Sequence, residues 1–359
     1  MKYRMIALVL LCALLSGCVR VFDGHYTSVK PHTEQNASDV TQKVSAEDYT
    51  QLYAVLTAFV ESGQAEGVIN VDKYDPDRVH DDMSRAVSEI RRRNPIAAYA
   101  VERIDFELGK SGGQTALAVN IEFTHSRAEI LKIKQVKGMD NAMKLVRTAL
   151  NQCEPALVML IREYEELDFI QAVESYALEY PQVVMEQPYV TVNTFPQTGV
   201  NRVVELRFTY QTSRDALRNM QAQVEPVFES AMLYVRGDAA EKEKYSQLYS
   251  FLMERYDYQI AGSITPAYSL LRYGVGDSRA FASVYAAMCR QAGLECMVVS
   301  GTRNAESWCW NIICDEGIYY HVNLLDGSFR ERTDAQMTGF VWDYSTYPPC
   351  GIQPQNENE

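Results

Sequence analysis

A short segment that occurs twice without gaps constrains the architecture more than any other feature of this sequence. Residues 82–95 (DMSRAVSEIRRRNP) align at a constant offset with residues 168–181 (DFIQAVESYALEYP), and the Asp, Ala-Val and Pro residues coincide. The apolar residues of both copies recur at helical spacing. Asp is a favourable N-cap and Pro ends a helix, so we predict one helix in each copy, starting after Asp82 and Asp168.

A predicted β-hairpin follows each of these helices. The alternating runs that form the hairpins are residues 99–108, 115–123, 189–194 and 202–210. Further helices are expected from Arg127 and from Ser213. We therefore predict an α+β fold with two tandem helix–hairpin–helix modules, residues 46–150 and 151–236. The repeated residues are those that helix–hairpin–helix packing requires, and they include no catalytic pattern. We therefore expect the modules to act as a spacer or a binding module.

The N-terminus has the pattern of an export signal. Lys2 and Arg4 precede an apolar run, residues 5–15, that is shorter than the ~20 residues of a membrane-spanning helix. This pattern predicts a secretory signal peptide over residues 1–17. The run ends in Leu-Ser-Gly-Cys, which resembles the bacterial lipobox with Cys18 as the lipidated residue. An ordinary signal peptide with an incidental cysteine is the alternative.

A lipid on Cys18 predicts an exported, extracytoplasmic protein that is attached to the membrane through this lipid alone. Two acyl chains on one cysteine suffice for stable anchoring. Residues 18–45 are polar and aperiodic after the anchor, which is typical of a flexible tether. The formal net charge of −13 makes nucleic acid an unfavourable partner.

Six further cysteines follow Cys18: Cys153, Cys289, Cys296, Cys309, Cys314 and Cys350. Their pairing stays open, between free thiols and one or two bridges, because six cysteines allow many connectivities. One disulfide, Cys296–Cys314, is expected if two strands pair antiparallel across the turn 302–306. No Cys-x-x-C pair occurs and only His321 accompanies this group, so we predict neither a metal nor a cofactor.

The region after residue 242 has a different pattern. A helix is predicted over residues 245–256, and a glycine-rich turn then leads into a second helix of small apolar residues that begins near Ser278. Three strand-like runs follow it, residues 296–301, 307–314 and 318–325, with connections of hairpin length.

Four blocks in this region resemble the transglutaminase-like (papain-like) core. They are GVGDSRAFA at 274–282, AGLECMVVSG at 292–301, WCWNII at 308–313 and YYHVNL at 319–324. The resemblance covers about 240–345. It implies a domain over residues 237–348, a helix packed on an antiparallel sheet, and we expect a disordered tail at 349–359.

The resemblance also implies where the catalytic residues of the family should lie. The nucleophilic Cys falls on Ser278, the His on Trp308 and the Asp on Asn323, so all three have been replaced. Indole cannot accept a proton, and a hydroxyl without a base is barely nucleophilic. We therefore expect no catalysis, and predict a membrane-anchored surface lipoprotein that binds or scaffolds a protein, a peptide or a cell-wall ligand.

Alternatives remain for this site. His321 lies two residues before Asn323 and should share its strand face, so a hydrolase or amide-modifying enzyme could use Ser278 with His321 as surrogate base. That enzyme requires His321 to approach Ser278 in an open cleft. Trp308, Trp310 and His321 could also line a groove for a peptide or sugar, although we favour core packing as their role. A structural spacer without any cleft is the third hypothesis.

Overall fold

The structure is a computed structural model that describes residues 44–260 and 262–352. The chain divides into two compact units, residues 1–45 and residues 46–359. Only a two-residue strand, β1 (Val44–Ser45), is described in the first unit. The predicted signal peptide, Cys18 and the tether up to residue 43 therefore lie outside the described residues. Within the described ranges, no helix is both long enough and apolar enough to cross a membrane.

The second unit begins with helices packed on an antiparallel sheet. Its elements are α1 (Tyr49–Glu61), β2 (Glu66–Asn70), α2 (Val79–Arg93), α3 (Pro95–Ala100), β3 (Val101–Ser111), β4 (Gln114–Phe123) and α4 (Arg127–Leu131). Strand β4 lies between β2 and β3. Helix α2 begins before Asp82, so the prediction that Asp82 caps it is wrong. Asp82 is buried inside the helix, where its Oδ2 accepts a hydrogen bond from the Tyr74 hydroxyl at 2.9 Å.

A similar arrangement follows. It consists of β5 (Lys134–Lys137), α5 (Met139–Asn151), β6 (Ala156–Arg162), α6 (Phe169–Glu179), β7 (Tyr189–Phe195), β8 (Asn201–Thr209) and α7 (Arg214–Tyr234). The sheet order is β5-β6-β8-β7. Here Asp168 caps α6 as predicted, because its Oδ1 accepts hydrogen bonds from the backbone nitrogens of Ile170 and Gln171 at 3.0 Å.

The predicted boundary at residues 150/151 cuts through a hydrophobic core. Val146 and Leu150 of α5 pack with Met159 of β6 and Phe169 of α6. Helix α5 therefore belongs with the second sheet, and the repeated unit is longer than helix–hairpin–helix. Residues 46–359 form one compact unit, and their division into two tandem helix–hairpin–helix modules stays a prediction.

The last part of the chain is a helix on an antiparallel sheet, as the resemblance implied. Its elements are α8 (Glu241–Met253), β9 (Asp257–Tyr258), α9 (Pro266–Tyr273), β10 (Val275–Gly276), α10 (Ser278–Gln291), β11 (Cys296–Arg303), β12 (Glu306–Asp315), β13 (Ile318–Val322) and β14 (Phe340–Val341). The sheet order is β13-β12-β11-β14. Strands β11 and β12 meet in a turn at Asn304 and Ala305, whose positive φ angles of 52° and 67° suit a two-residue hairpin.

The two faces of this sheet have different cores because side chains alternate along a strand. Val298, Ile313 and Val322 lie in the cluster that includes α10. Val299 and Trp310 lie in a second cluster whose other buried members come from β12 and from the segment after β13: Ile312, Met337, Phe340, Trp342 and Cys350.

The predicted disordered tail begins too early at residue 349. Cys350 is buried, and its backbone nitrogen donates a hydrogen bond to Asp334 Oδ2 at 3.1 Å. The backbone nitrogen of Gly351 donates to the Tyr319 carbonyl at 2.8 Å. These contacts attach the segment to β13, and residues 353–359 lie outside the described residues.

Candidate functional site

Ser278 is the first residue of α10, at the position where the resemblance places a nucleophile. Asp277 caps the helix, with its Oδ1 accepting a hydrogen bond from the backbone nitrogen of Ala280 at 2.9 Å. Ser278 is buried, and its Oγ accepts a hydrogen bond from the backbone nitrogen of Cys309 at 3.2 Å. This contact fixes the start of the helix against strand β12. Within the described residues, the hydrogen bonds of the Ser278 hydroxyl include no side chain that could act as a base.

Trp308 and Asn323 are joined directly. The Trp308 indole nitrogen donates a hydrogen bond to Asn323 Oδ1 at 3.1 Å. Asn323 is buried, and its Nδ2 donates in turn to Asp326 Oδ1 at 2.7 Å. The Arg303 guanidinium lies 5.1 Å from the Trp308 ring centroid and forms an ion pair with Asp326. The indole is therefore held at its edge by an amide and on its face by a cation.

His321 lies on the opposite face of the sheet from α10. It pairs with Ile312 across β12 and β13, and it contacts the buried Trp310 and Trp342. Its exposed fraction is 0%. His321 is enclosed by the second core rather than directed towards Ser278, and Asn323, expected on the same strand face, lies just after the end of β13. The structure thus does not bring together the two residues that the enzyme hypothesis requires.

Both ring nitrogens of His321 are occupied. The Trp310 indole nitrogen donates to His321 Nδ1 at 2.9 Å, and His321 Nε2 lies 2.8 Å from Asp334 Oδ1. Because indole is only a donor, Nδ1 must be an acceptor and the proton of the neutral ring must lie on Nε2, facing Asp334. Burial lowers the pKa of His321, and the Asp334 carboxylate opposes this shift. The arrangement favours a neutral, immobile imidazole.

The same protonation state bears on metal binding. His321, Asp334 and Cys350 present ligand atoms within 4.8 Å of one another. A metal bound to His321 Nε2 would replace the proton on that nitrogen. Because Nδ1 accepts a hydrogen bond from Trp310 and carries no proton either, the ring would have to be an imidazolate anion. In addition, burial raises the pKa of the Cys350 thiol to about 12, which disfavours the thiolate that a metal prefers. This donor set therefore does not fit a metal ion.

The predicted aromatic groove is wrong for two of its three residues. Trp310 and His321 are both 0% exposed, so they are core residues and cannot contact a ligand. Trp308 alone lies at the surface of a cleft, half-buried beside Tyr258, with the two ring centroids 5.6 Å apart. Core packing, the favoured interpretation, describes Trp310 and His321, because the segment after β13 covers their face of the sheet.

Cys309 is a thiol that sequence reasoning did not place in the cleft. Its Sγ lies 3.7 Å from Ser300 Oγ, on the face of the sheet that carries α10. Burial raises the pKa of the Cys309 thiol, although the Ser300 hydroxyl opposes the shift. The hydrogen bonds of the described residues give it no histidine partner, so its thiolate is disfavoured at neutral pH.

The predicted Cys296–Cys314 disulfide is wrong. Cys296 pairs with Ile313, and Cys314 lies opposite Glu295, to whose carbonyl its backbone nitrogen donates. In this register Cys314 is one residue beyond the partner of Cys296. Because side chains alternate along a strand, those of the two cysteines point to opposite faces of the sheet. All six described cysteines are free thiols.

A cleft of about 1280 Å³ opens above Ser278 and Trp308. One wall is the outer edge of β11, and the other wall is helix α6 of the preceding region. Its lining includes Glu174, Leu178, Tyr258, Ser278, Met297 and Trp308. The contribution of α6 joins residues more than 100 positions apart in sequence, so no local pattern could have indicated it.

Comparison with known proteins gives a family for this region. Residues 230–331 match the family model of the transglutaminase-like superfamily. A comparison with curated proteins found no match.

Solved structures are similar to the chain only at low identity. A TGase structure is 9% identical, with 56% of this chain and 61% of that chain covered and a TM-score of 0.27. The "Putative Cysteine Protease from Cytophaga hutchinsonii" is 14% identical, with 43% and 65% covered and a TM-score of 0.26. The "putative protease from Parabacteroides distasonis" is 10% identical, with 74% and 44% covered and a TM-score of 0.23. In each case the match spans less than two thirds of the other chain.

Proposed function

Residues 230–331 form a transglutaminase-like domain, and we propose that this domain binds a ligand in its cleft without catalysing a reaction on it. The observation that carries the proposal is the hydrogen bond from Trp308 Nε1 to Asn323 Oδ1. It occupies the two positions where the resemblance expects a base and its orienting acid. Indole has no acceptor nitrogen, so Trp308 cannot take a proton from Ser278.

The surrounding groups support the same proposal. His321 has both nitrogens engaged by Trp310 and Asp334, on the far face of the sheet. A nucleophile needs a base within hydrogen-bond reach, and among residues 44–260 and 262–352 the Ser278 hydroxyl has only the Cys309 backbone nitrogen there. The Cys309 thiol cannot replace Ser278 readily, since burial raises its pKa.

The open cleft favours a binding role over a spacer. A spacer would not require a cleft of about 1280 Å³ lined by both polar and apolar side chains. This volume exceeds the roughly 300–1,000 Å³ of common small-molecule sites. The ligand we propose is accordingly a protein, a peptide or a cell-wall component.

We place this binding domain on a lipoprotein. The Leu-Ser-Gly-Cys motif after the apolar run of residues 5–15 supports export and a lipid anchor on Cys18. In this proposal the cleft faces the extracytoplasmic side and recruits its ligand to the membrane surface.

The test compares the native protein with Ser278→Ala on a panel of peptide amides and esters. We expect neither protein to turn over any substrate above the uncatalysed rate, because the hydroxyl lacks a base. The matched control is Ser307→Ala, an exposed serine in the same cleft. A turnover that Ser278→Ala abolishes and Ser307→Ala retains would establish the hydrolase instead.

A further inference from the structure

The outer edge of strand β11 is largely unpaired. Strand β14 covers only Thr302 and Arg303 of β11. The carbonyl of Glu295 accepts a hydrogen bond from the Cys314 nitrogen of β12. The backbone N–H and C=O groups of Glu295 and of every second residue after it are therefore directed towards β12. The N–H and C=O groups of Cys296, Val298 and Ser300 therefore point away from β12, into the cleft.

A tyrosine hydroxyl occupies part of this edge. The Tyr347 hydroxyl accepts a hydrogen bond from the Ser300 nitrogen at 3.4 Å and donates one to the Val298 carbonyl at 3.3 Å. One residue of a parallel strand would contact the same two groups. Within residues 44–260 and 262–352, the N–H and C=O of Cys296 and the N–H of Val298 have no hydrogen-bond partner. These backbone groups could pair with an added strand, which residues 44–260 and 262–352 do not provide.

The cleft beside this edge has room for an added strand. Its far wall is α6, which contributes Gln171, Glu174, Ser175, Leu178 and Glu179. Neighbouring strands lie only about 4.8 Å apart, and the cleft volume of about 1280 Å³ leaves space for side chains on both sides of such a strand. Half-buried Met297 and Trp308 offer apolar contacts along its length.

The charge of the cleft indicates which strand would fit. Five carboxylates line it: Glu174, Glu179, Asp277, Glu295 and Glu306. None of them forms an ion pair within the described residues. The cleft also contains two guanidinium groups, which donate to neutral acceptors and keep their charge: Arg279 donates to Gln187 Oε1 and Arg290 to the Glu179 carbonyl. The five carboxylates outnumber them. The cleft therefore presents an unbalanced negative charge along a backbone edge.

We propose that the cleft binds an extended, lysine- or arginine-rich polypeptide segment, which adds as a strand beside Cys296–Ser300 and displaces the Tyr347 hydroxyl. This inference rests on the proposed function, because it names the ligand class of the same cleft. Backbone hydrogen bonds give the affinity, and the carboxylates select basic side chains. The protein's own C-terminal residues, 353–359, carry only acidic charges, so like-charge repulsion disfavours them as the occupant.

The first experiment titrates the full chain in detergent, by calorimetry, with a decapeptide of alternating lysine and valine. We expect binding, and no binding of the same peptide with glutamate in place of lysine. Two N-methylated versions, one on the lysine nitrogens and one on the valine nitrogens, test the strand geometry. Because only alternate N–H groups face β11, one version should bind at least about tenfold more weakly than the other. Equal affinities of the two versions, or no binding of the parent peptide at about 1 mM, would overturn the proposal.

The second measurement locates the peptide. Amide hydrogen exchange at Cys296 and Val298 should slow when the lysine–valine peptide is added. If these amides are already protected in a dimer without peptide, a second copy of the chain occupies the edge and the proposal is wrong. Glu174→Gln and Glu306→Gln should each weaken binding by roughly two- to fivefold at low salt. The matched control, Glu107→Gln, changes an exposed carboxylate on β3 outside the cleft and should leave the affinity unchanged.

The two proposals fail in different ways. Release of cleaved peptide products would refute the non-catalytic function while leaving the strand addition intact. Absence of binding together with absence of turnover would refute the strand addition alone.

Discussion

The indole nitrogen of Trp308, on β12, is hydrogen-bonded to the side-chain oxygen of Asn323, which directly follows β13, and both are replaced catalytic positions. A His–Asp pair in these positions would donate in the same direction, from the ring to the oxygen. The replacement has therefore kept a ring-to-oxygen hydrogen bond while removing the group that accepts a proton.

The first prediction concerns the stability that this contact provides. In Asn323→Ala, a buried amide that bonds both Trp308 and Asp326 is lost. We expect the free energy of unfolding to fall by about 1–3 kcal/mol, as for a buried hydrogen bond left unpaired. Urea unfolding of the variant measures it. Asn141→Ala, at an exposed position, is the control and should change the value by less than about 0.5 kcal/mol.

The second prediction concerns restoring chemistry. Ser278→Cys alone should give no amide hydrolysis, because Trp308 still offers no base. The triple variant Ser278→Cys, Trp308→His, Asn323→Asp should show a thiol that reacts with iodoacetamide faster than in Ser278→Cys at pH 7. The reason is that an adjacent histidine favours the thiolate. Equal alkylation rates in the single and triple variants would mean that the imidazole does not reach residue 278.

The third prediction is a pH dependence set by His321. Burial lowers the pKa of His321 in the folded protein below its ordinary value of about 6.5. The unfolded chain then binds more protons, so stability decreases as the pH falls through about 6.5. A protonated ring would also direct Nδ1–H at the Trp310 N–H. Urea unfolding from about pH 7.5 to 5.5 should show this slope.

The matched variants for this slope are His321→Gln and His80→Gln. The first should flatten the slope, because the buried titrating ring is gone. The second changes an exposed histidine and should retain it. A slope that both variants share with the native protein would assign the pH dependence to other groups.

The fourth prediction concerns the thiols. Cys309 and Cys314 are half-buried, whereas Cys289 is 0% exposed and burial raises its pKa well above the ordinary value. Burial also raises the pKa of Cys309 and Cys314, so iodoacetamide should alkylate these two thiols slowly in the native protein, and Cys289 only after unfolding. Mapping peptides by mass spectrometry measures both. A Cys296–Cys314 peptide in the non-reduced digest would contradict the strand register described above.

The fifth prediction concerns the anchor. Cys18→Ser should release the protein from membranes into the soluble envelope fraction or the medium, because the lipid has lost its attachment site. Fractionation with radiolabelled lipid checks it, and the native protein should carry the label. Equal membrane retention of both proteins, with no label on either, would show that Cys18 is not an anchor.

Local signals in the sequence indicated much of the transglutaminase-like region. The Gly-Asp-Ser turn predicted that a helix begins at Ser278, and alternation predicted β11, β12 and β13 to within a few residues. These elements depend on capping and on periodicity, which act over a few residues. The same signals predicted one strand face for His321 and Asn323, although Asn323 lies just after the end of β13.

Contacts between distant segments could not be predicted in this way. Alternation cannot tell which face of a strand is covered, so the enclosure of Trp310 and His321 by residues 334–350 was missed. The position of Asp334 beside His321 depends on a segment without regular periodicity. The Cys296–Cys314 error came from a register shifted by one residue, which moves every side chain to the other face.

Trp308 also gives the cleft an optical reporter. The chain has three tryptophans, and Trp310 and Trp342 are 0% and 7% exposed, so only Trp308 lines the cleft. Acrylamide should quench mainly this indole, and the quenched fraction of the emission belongs to the cleft. A ligand that covers Trp308 should protect this component and shift its emission to shorter wavelengths, so occupancy can be followed without a label.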